Sequence, residues 1–234
     1  MKHLVLLHGW GATGAVWRRQ VKAFEGACTV HAPTFPRWEA AWVAECLSRF
    51  PLRETVVLGW SLGGMLLLEA LADAGLWPAG LVLVGVPAVF CQRAYHPHGQ
   101  PPRVVRAMRQ ALKQDARRVL ADFAAHCLAP GEEVFLDEAE TLFDPGRAAQ
   151  NLAQGLDYLL KADLRPLLPK LRLAPVIVQG GADRIVPPEQ ARFLSEQLPG
   201  SCLVMLPGAG HVPFITQAAR FNEIVKEIVG GGAG

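Results

Sequence analysis

Ser61 lies in Gly59-Trp60-Ser61-Leu62-Gly63, between the apolar run Thr55-Val56-Val57-Leu58 and a stretch of helical composition from Met65 to Ala72. A serine in a G-x-S-x-G pattern between strand and helix has the context that an activated nucleophile needs. The sharp turn strains the serine backbone and lifts its hydroxyl clear of the sheet edge, and small neighbours let strand and helix nearly touch. A glycine-rich turn with a surface serine is the plain alternative; the flanking strand and helix weigh against it. A serine hydroxyl is a poor nucleophile until a base takes its proton, so the motif calls for a histidine held by a carboxylate.

The chain order expected for this arrangement is serine, then acid, then histidine. Asp183 follows the apolar run Ala174–Gly180, and His211 follows the run Cys202–Leu206 through Pro207-Gly208-Ala209-Gly210. Both lie beyond the carboxyl ends of expected strands, where open α/β sheets bind their ligands. Taken singly, Asp183 could be a turn former and His211 a loop histidine with a structural hydrogen bond. Order and placement together nominate Ser61, Asp183 and His211 as a triad. Its oxyanion donors are expected to be the backbone N–H of Leu62 and that of Trp10, in His8-Gly9-Trp10-Gly11 after the first strand. Gly9-Trp10-Gly11-Ala12-Thr13-Gly14 also matches a dinucleotide-binding G-x-G-x-x-G. No acidic residue ends the next strand to hold a ribose, and nucleotide binding ranks low.

The elements that must position these groups are legible as Val- and Leu-rich runs. Six of them, 3–8, 28–33, 55–60, 80–86, 174–180 and 202–206, read as buried parallel strands with helices between most. The predicted fold is therefore α/β, a mostly parallel sheet flanked by helices. Residues 87–173 are too long for one crossover, and 89–160 is expected to be a helical cap inserted into a core formed by 1–88 and 161–229. The glycine-rich residues 230–234 are expected to be a flexible tail.

At 234 residues, 51% hydrophobic and a formal charge of +2, the chain can bury one large core and carries no global signal for nucleic acid. No apolar run approaches the ~20 residues of a membrane span. His8-Gly9 interrupts the first apolar run too early for a signal peptide. Cys28, Cys46, Cys91, Cys127 and Cys202 are odd in number and widely spaced, which fits reduced thiols in a cytoplasmic protein. No zinc spacing is present, and neither a metal nor an organic cofactor is expected. Within the cap interval, a single helix projection puts Arg103, Arg106, Arg109, Lys113 and Arg117 on one face, opposite Val105, Met108, Leu112, Val119 and Phe123. An ordinary solvated face is the commoner meaning of such a stripe. A ridge that steers an acidic partner is the other, and Asp115 could cap a second helix and split it.

On these residues the chain resembles the α/β-hydrolase superfamily. More narrowly, it is similar to the pimeloyl-[acyl-carrier protein] methyl ester esterases of biotin synthesis. The likeness rests on His3–Gly11, on Leu58–Gly64, on Leu160–Arg165 and on Ala209-Gly210-His211-Val212-Pro213-Phe214-Ile215. The loop after the second strand departs from the family pattern, reading His31-Ala32-Pro33-Thr34-Phe35-Pro36-Arg37-Trp38. The resemblance implies hydrolysis of a methyl ester on a carrier-bound acyl chain, by a cofactor-free serine mechanism on a monomeric protein. It implies that Trp10, Ser61, Leu62, Phe123, Cys127 and His211 contact the acyl chain. It also implies that basic cap residues, Arg106, Arg109, Lys113, Arg117 and Arg118, bind the acidic acyl carrier protein, with Arg117 and Arg118 nearest the family's carrier-binding arginines. Activity is expected to rise through roughly pH 6–7.5, as a histidine base of reference pKa about 6.5 loses its proton. Open alternatives are a general short-chain carboxylesterase, a C–C bond hydrolase on the same fold, and a non-catalytic ligand- or carrier-binding module.

Overall fold

A computed structural model of the chain describes residues 1–144 and 146–231. Its strands are β1 (His3–Leu7), β2 (Thr29–His31), β3 (Thr55–Trp60), β4 (Gly80–Val84), β5 (Val176–Gly180) and β6 (Cys202–Leu206). Its helices are α1 (Arg18–Ala23), α2 (Ala40–Leu47), α3 (Leu62–Ala74), α4 (Pro102–Ala111), α5 (Ala116–Cys127), α6 (Leu136–Glu140), α7 (Ala149–Lys161), α8 (Pro188–Gln197), α9 (Pro213–Thr216) and α10 (Ala218–Gly230). Each expected strand contains an observed one, because unbroken β-branched and leucine runs suit strands covered on both faces.

The strands form one parallel sheet in the order β2-β1-β3-β4-β5-β6. All six residues of β3 are buried, whereas the edge strands β2 and β6 expose Thr29 and Cys202. The expectation of six buried strands therefore holds for the centre of the sheet and not for its edges. The chain crosses β1 in passing from β2 to β3, so the strand order reverses beside β1. That crevice, past the carboxyl ends of β1 and β3, is where such sheets take ligands.

Between β4 and β5 the chain makes a helical excursion holding α4 to α7. Its two ends meet where the Leu164 N–H donates to the Ala88 carbonyl at 2.9 Å. The region read as one helical face is two helices. Asp115 accepts from the Arg118 N–H at 2.9 Å and caps α5, ending the run that α4 begins. Of the expected tail, Gly230 closes α10, and 232–234 lie outside the described residues. Among the described residues no helix is long and apolar enough to cross a membrane.

Candidate active site

The first residue of the site is fixed by the glycines around it. Ser61 sits between β3 and α3 with φ 53° and ψ −124°, a conformation that side chains rarely adopt. Its N–H is held by the Val84 carbonyl at 3.0 Å. A Cβ on Gly59 would come within 2.6 Å of the Gly64 Cα, and one on Gly63 within 2.2 Å of the His8 carbonyl oxygen. Backbone atoms cannot yield at such distances, so the small residues are needed for β3, α3 and the loop after β1 to meet at the serine.

The loop after β5 supplies Asp183. Its Oδ1 accepts from the Ile185 and Val186 N–H groups at 2.8 and 2.9 Å. Its Oδ2 accepts from the Gln179 amide at 3.1 Å and from the His211 Nδ1–H at 2.7 Å. The hydrogen bond to Nδ1 fixes the imidazole tautomer. His211 Nε2 is then the basic ring atom; it is buried and has no hydrogen-bond partner among the described residues. No hydrogen bond joins it to Ser61 Oγ in this structure, and such contacts tighten when substrate binds. The Trp60 indole N–H donates to the His211 carbonyl at 3.0 Å and ties the histidine loop to the strand that leads into the serine. Gly85, with φ 53°, leaves the space a side chain would take from the His211 ring: a Cβ there would lie 3.0 Å from Nδ1.

The loop after β1 brings Trp10 alongside. Its indole N–H donates to the Leu152 carbonyl at 2.8 Å, and its ring meets Phe123 edge-on. Among the described residues, the backbone N–H groups of Trp10 and Leu62 have no hydrogen-bond acceptor. An oxyanion hole needs two such free backbone donors beside its nucleophile. His8 braces this loop. Its Nδ1–H donates to the Gly9 carbonyl at 2.9 Å and its Nε2 accepts from the Phe35 N–H at 3.0 Å. Burial pushes the imidazole down to about 3, against the Gly9 hydrogen bond that raises it and with Arg147 lowering it further.

A cavity of about 420 Å³ opens above Ser61 and Trp10. Val105 and Met108 of α4, Val119 and Phe123 of α5, and Leu156 and Leu159 of α7 make its walls. An apolar channel of that volume, ending on one serine, suits an acyl chain or another small apolar ligand. Cys127, expected on that channel, is fully buried away from it. Burial and the Asp183 charge push its thiol well above the usual range. Cys127 meets the site through its backbone, its carbonyl accepting from the His211 N–H at 2.7 Å. The Leu62 side chain is likewise fully buried in the core, leaving its N–H as its contribution. Among the described residues there is no cluster of three or more His, Cys, Asp or Glu that could hold a metal ion.

A model described as the alpha/beta hydrolase family matches residues 4–224. The chain belongs to that family. The hydrolase is 32% identical over 243 residues to a pimeloyl-[acyl-carrier protein] methyl ester esterase of Aeromonas hydrophila, covering 97% of this chain and 95% of the relative. It is 32% identical over 237 residues to one of Chromobacterium violaceum, covering 96% and 92%. An esterase from Exiguobacterium antarcticum shares the fold, with a TM-score of 0.90 at 24% identity over 98% of this chain and 92% of that one.

The basic residues of the hydrolase are dispersed by the break at Asp115. Arg109 is committed to Asp157 of α7 by two hydrogen bonds of 2.6 and 2.9 Å, so it pins α4 to α7 and is no longer a free cation. Arg103, Arg106, Lys113, Arg117 and Arg118 stay exposed, Arg118 lying 3.9 Å from Asp122. Several contributors had no reading in the sequence: His8, Gln179, Trp60 as a tether, and Glu132. Gln179 did leave a signal, as the one polar side chain in an apolar strand four residues before Asp183. Glu132, in Gly131-Glu132-Glu133, left none.

Proposed function

We propose that this hydrolase is a serine esterase that cleaves the methyl ester of pimeloyl-[acyl-carrier protein], releasing methanol and the free carboxylate. The observation that carries the reading is identity of 32% across nearly the full length with relatives of that name; the apolar cavity ending on Ser61 supports it. His211 Nε2 takes the Ser61 proton as Oγ attacks the ester carbonyl, and Asp183 holds and stabilises the imidazolium. The oxyanion rests on the N–H groups of Trp10 and Leu62. Methanol leaves with the proton from His211, and water hydrolyses the acyl-serine by the same route. Arg106, Lys113, Arg117 and Arg118 would face the acidic carrier. The protein acts as a monomer in the cytoplasm; a reducing compartment agrees with five cysteines that are all free.

The test is turnover of carrier-bound pimeloyl methyl ester beside p-nitrophenyl butyrate, for wild type, Ser61→Ala and an Arg117→Glu/Arg118→Glu double variant. Serine-dependent hydrolysis of the carrier-bound ester is expected, with the charge reversal raising its KM and leaving the small ester unchanged. Turnover of the small ester alone would overturn the substrate, and full activity in Ser61→Ala would overturn the mechanism. Binding without any turnover would make the protein a non-catalytic member of the family.

A further inference from the structure

We infer that Glu132 is a positioning residue for His211, delivered by the segment that follows α5. Glu132 is 7% exposed and forms no ion pair among the described residues. A buried carboxylate without a cation is strongly unfavourable unless its oxygens are taken up by donors. Its Oε2 accepts from the Ala129 N–H at 2.8 Å, which closes the local turn. The same oxygen also accepts from the Gly210 N–H at 3.0 Å, 78 positions along the chain. The turn does not need that second bond.

What the second bond holds is the residue before the candidate base. Gly210 leaves no room for a side chain: a Cβ there would lie 2.3 Å from the Cys127 carbonyl oxygen, 2.7 Å from the Ala129 nitrogen and 2.9 Å from Glu132 Oε2. The next N–H, of His211 itself, donates to the Cys127 carbonyl at 2.7 Å. On its other side the His211 carbonyl accepts from Trp60. The histidine backbone is therefore held by two bonds from residues 127–132 and one from the core. Movement of 127–132 displaces the imidazole relative to Ser61, and a misplacement of about 1 Å at a reacting group lowers turnover on the order of 10²-fold.

The inference rests on Ser61, His211 and Asp183 being the catalytic groups. The assay is steady-state hydrolysis of p-nitrophenyl acetate, well below the melting temperature of each variant. Glu132→Ala is expected to lower kcat about 10- to 100-fold with KM unchanged. Glu132→Gln, which keeps an acceptor oxygen at the same reach, is expected to restore most of kcat. Glu132→Asp keeps the charge, draws the accepting oxygen back from Gly210, and is expected to lose kcat even if Glu132→Ala fails to fold. Because Glu132 acts through His211, Glu132→Ala should lose far less in an Asp183→Asn background than in wild type. Wild-type kcat in Glu132→Asp, or losses that add in the double variant, would reduce Glu132 to a loop anchor and overturn the proposal. If Ser61→Ala keeps its activity, the catalytic reading falls instead.

Discussion

Replacing Asp183 by Asn exchanges one carboxylate oxygen for an NH₂ group and should nearly abolish turnover. The aspartate accepts four hydrogen bonds: two at Oδ1 from the Ile185 and Val186 N–H groups, and two at Oδ2 from Gln179 and His211. The amide oxygen of the substituted side chain would stay with the two backbone donors, because turning the NH₂ toward them would oppose donors to donors. The NH₂ then faces His211 Nδ1. That nitrogen must become the acceptor, which moves the ring proton to Nε2, the atom that has to receive the serine proton. Gln179 is not stranded, since its amide also donates to the Val186 carbonyl at 2.9 Å and the Gly180 carbonyl at 3.2 Å. The fold should therefore survive while the base is in the wrong tautomer. The corresponding change in a serine-protease triad lowers kcat by about 10⁴, equivalent to roughly 5 kcal/mol of transition-state stabilisation. The assay is kcat and KM for p-nitrophenyl butyrate, together with a thermal melt. A kcat within about tenfold of wild type in a folded Asp183→Asn protein would refute the tautomer argument.

Two further perturbations follow from the same geometry. Gly63→Ala would force a Cβ to 2.2 Å from the His8 carbonyl oxygen and 3.1 Å from that of Leu7. The expected result is destabilisation of about 1–3 kcal/mol or more in urea unfolding, with loss of activity, since the displaced backbone leads into Trp10. His8 is neutral when folded, with its pKa depressed to about 3, and takes up a proton more readily once unfolded. Its contribution is present above about pH 6.5 and is lost as pH falls toward 3, by about 1.4 kcal/mol per unit. Stability measured from about pH 7 to about pH 4 should fall less steeply in His8→Gln than in wild type; equal slopes would contradict a neutral buried His8.

The sheet and the three candidate catalytic residues were legible because both kinds of signal are local. Runs such as Val56-Val57-Leu58 declare a strand covered on both faces, and Ser61, Asp183 and His211 each lie within five residues of the end of such a strand. The cap interval was legible only in outline. Amphipathic spacing told which side of 103–123 is buried but not which partner buries it. Arg109 and Asp157 are 48 residues apart, and nothing in either segment announces their pairing. The end of α4 was less visible than the cap of α5, because Leu112–Gln114 carries no proline or glycine and Asp115 alone marks the restart. Cys127 misled because its carbonyl, common to every residue type, makes the contact.

Most of the cavity wall comes from α4, α5 and α7, with Trp10, Phe90 and Ile185 added by core loops, whereas Ser61, Asp183 and His211 follow β3, β5 and β6. The shape of the cavity and the candidate catalytic groups are thereby set largely by different stretches of the chain, which invites exchange of the wall helices between relatives to alter chain-length preference. The join of such a chimaera cannot be cut at will. A transplant that replaced 127–132 would swap out the Glu132 carboxylate that holds Gly210 and the backbone path that brings the Cys127 carbonyl to His211, whereas one confined to 102–126 and 149–161 keeps the host's own alignment.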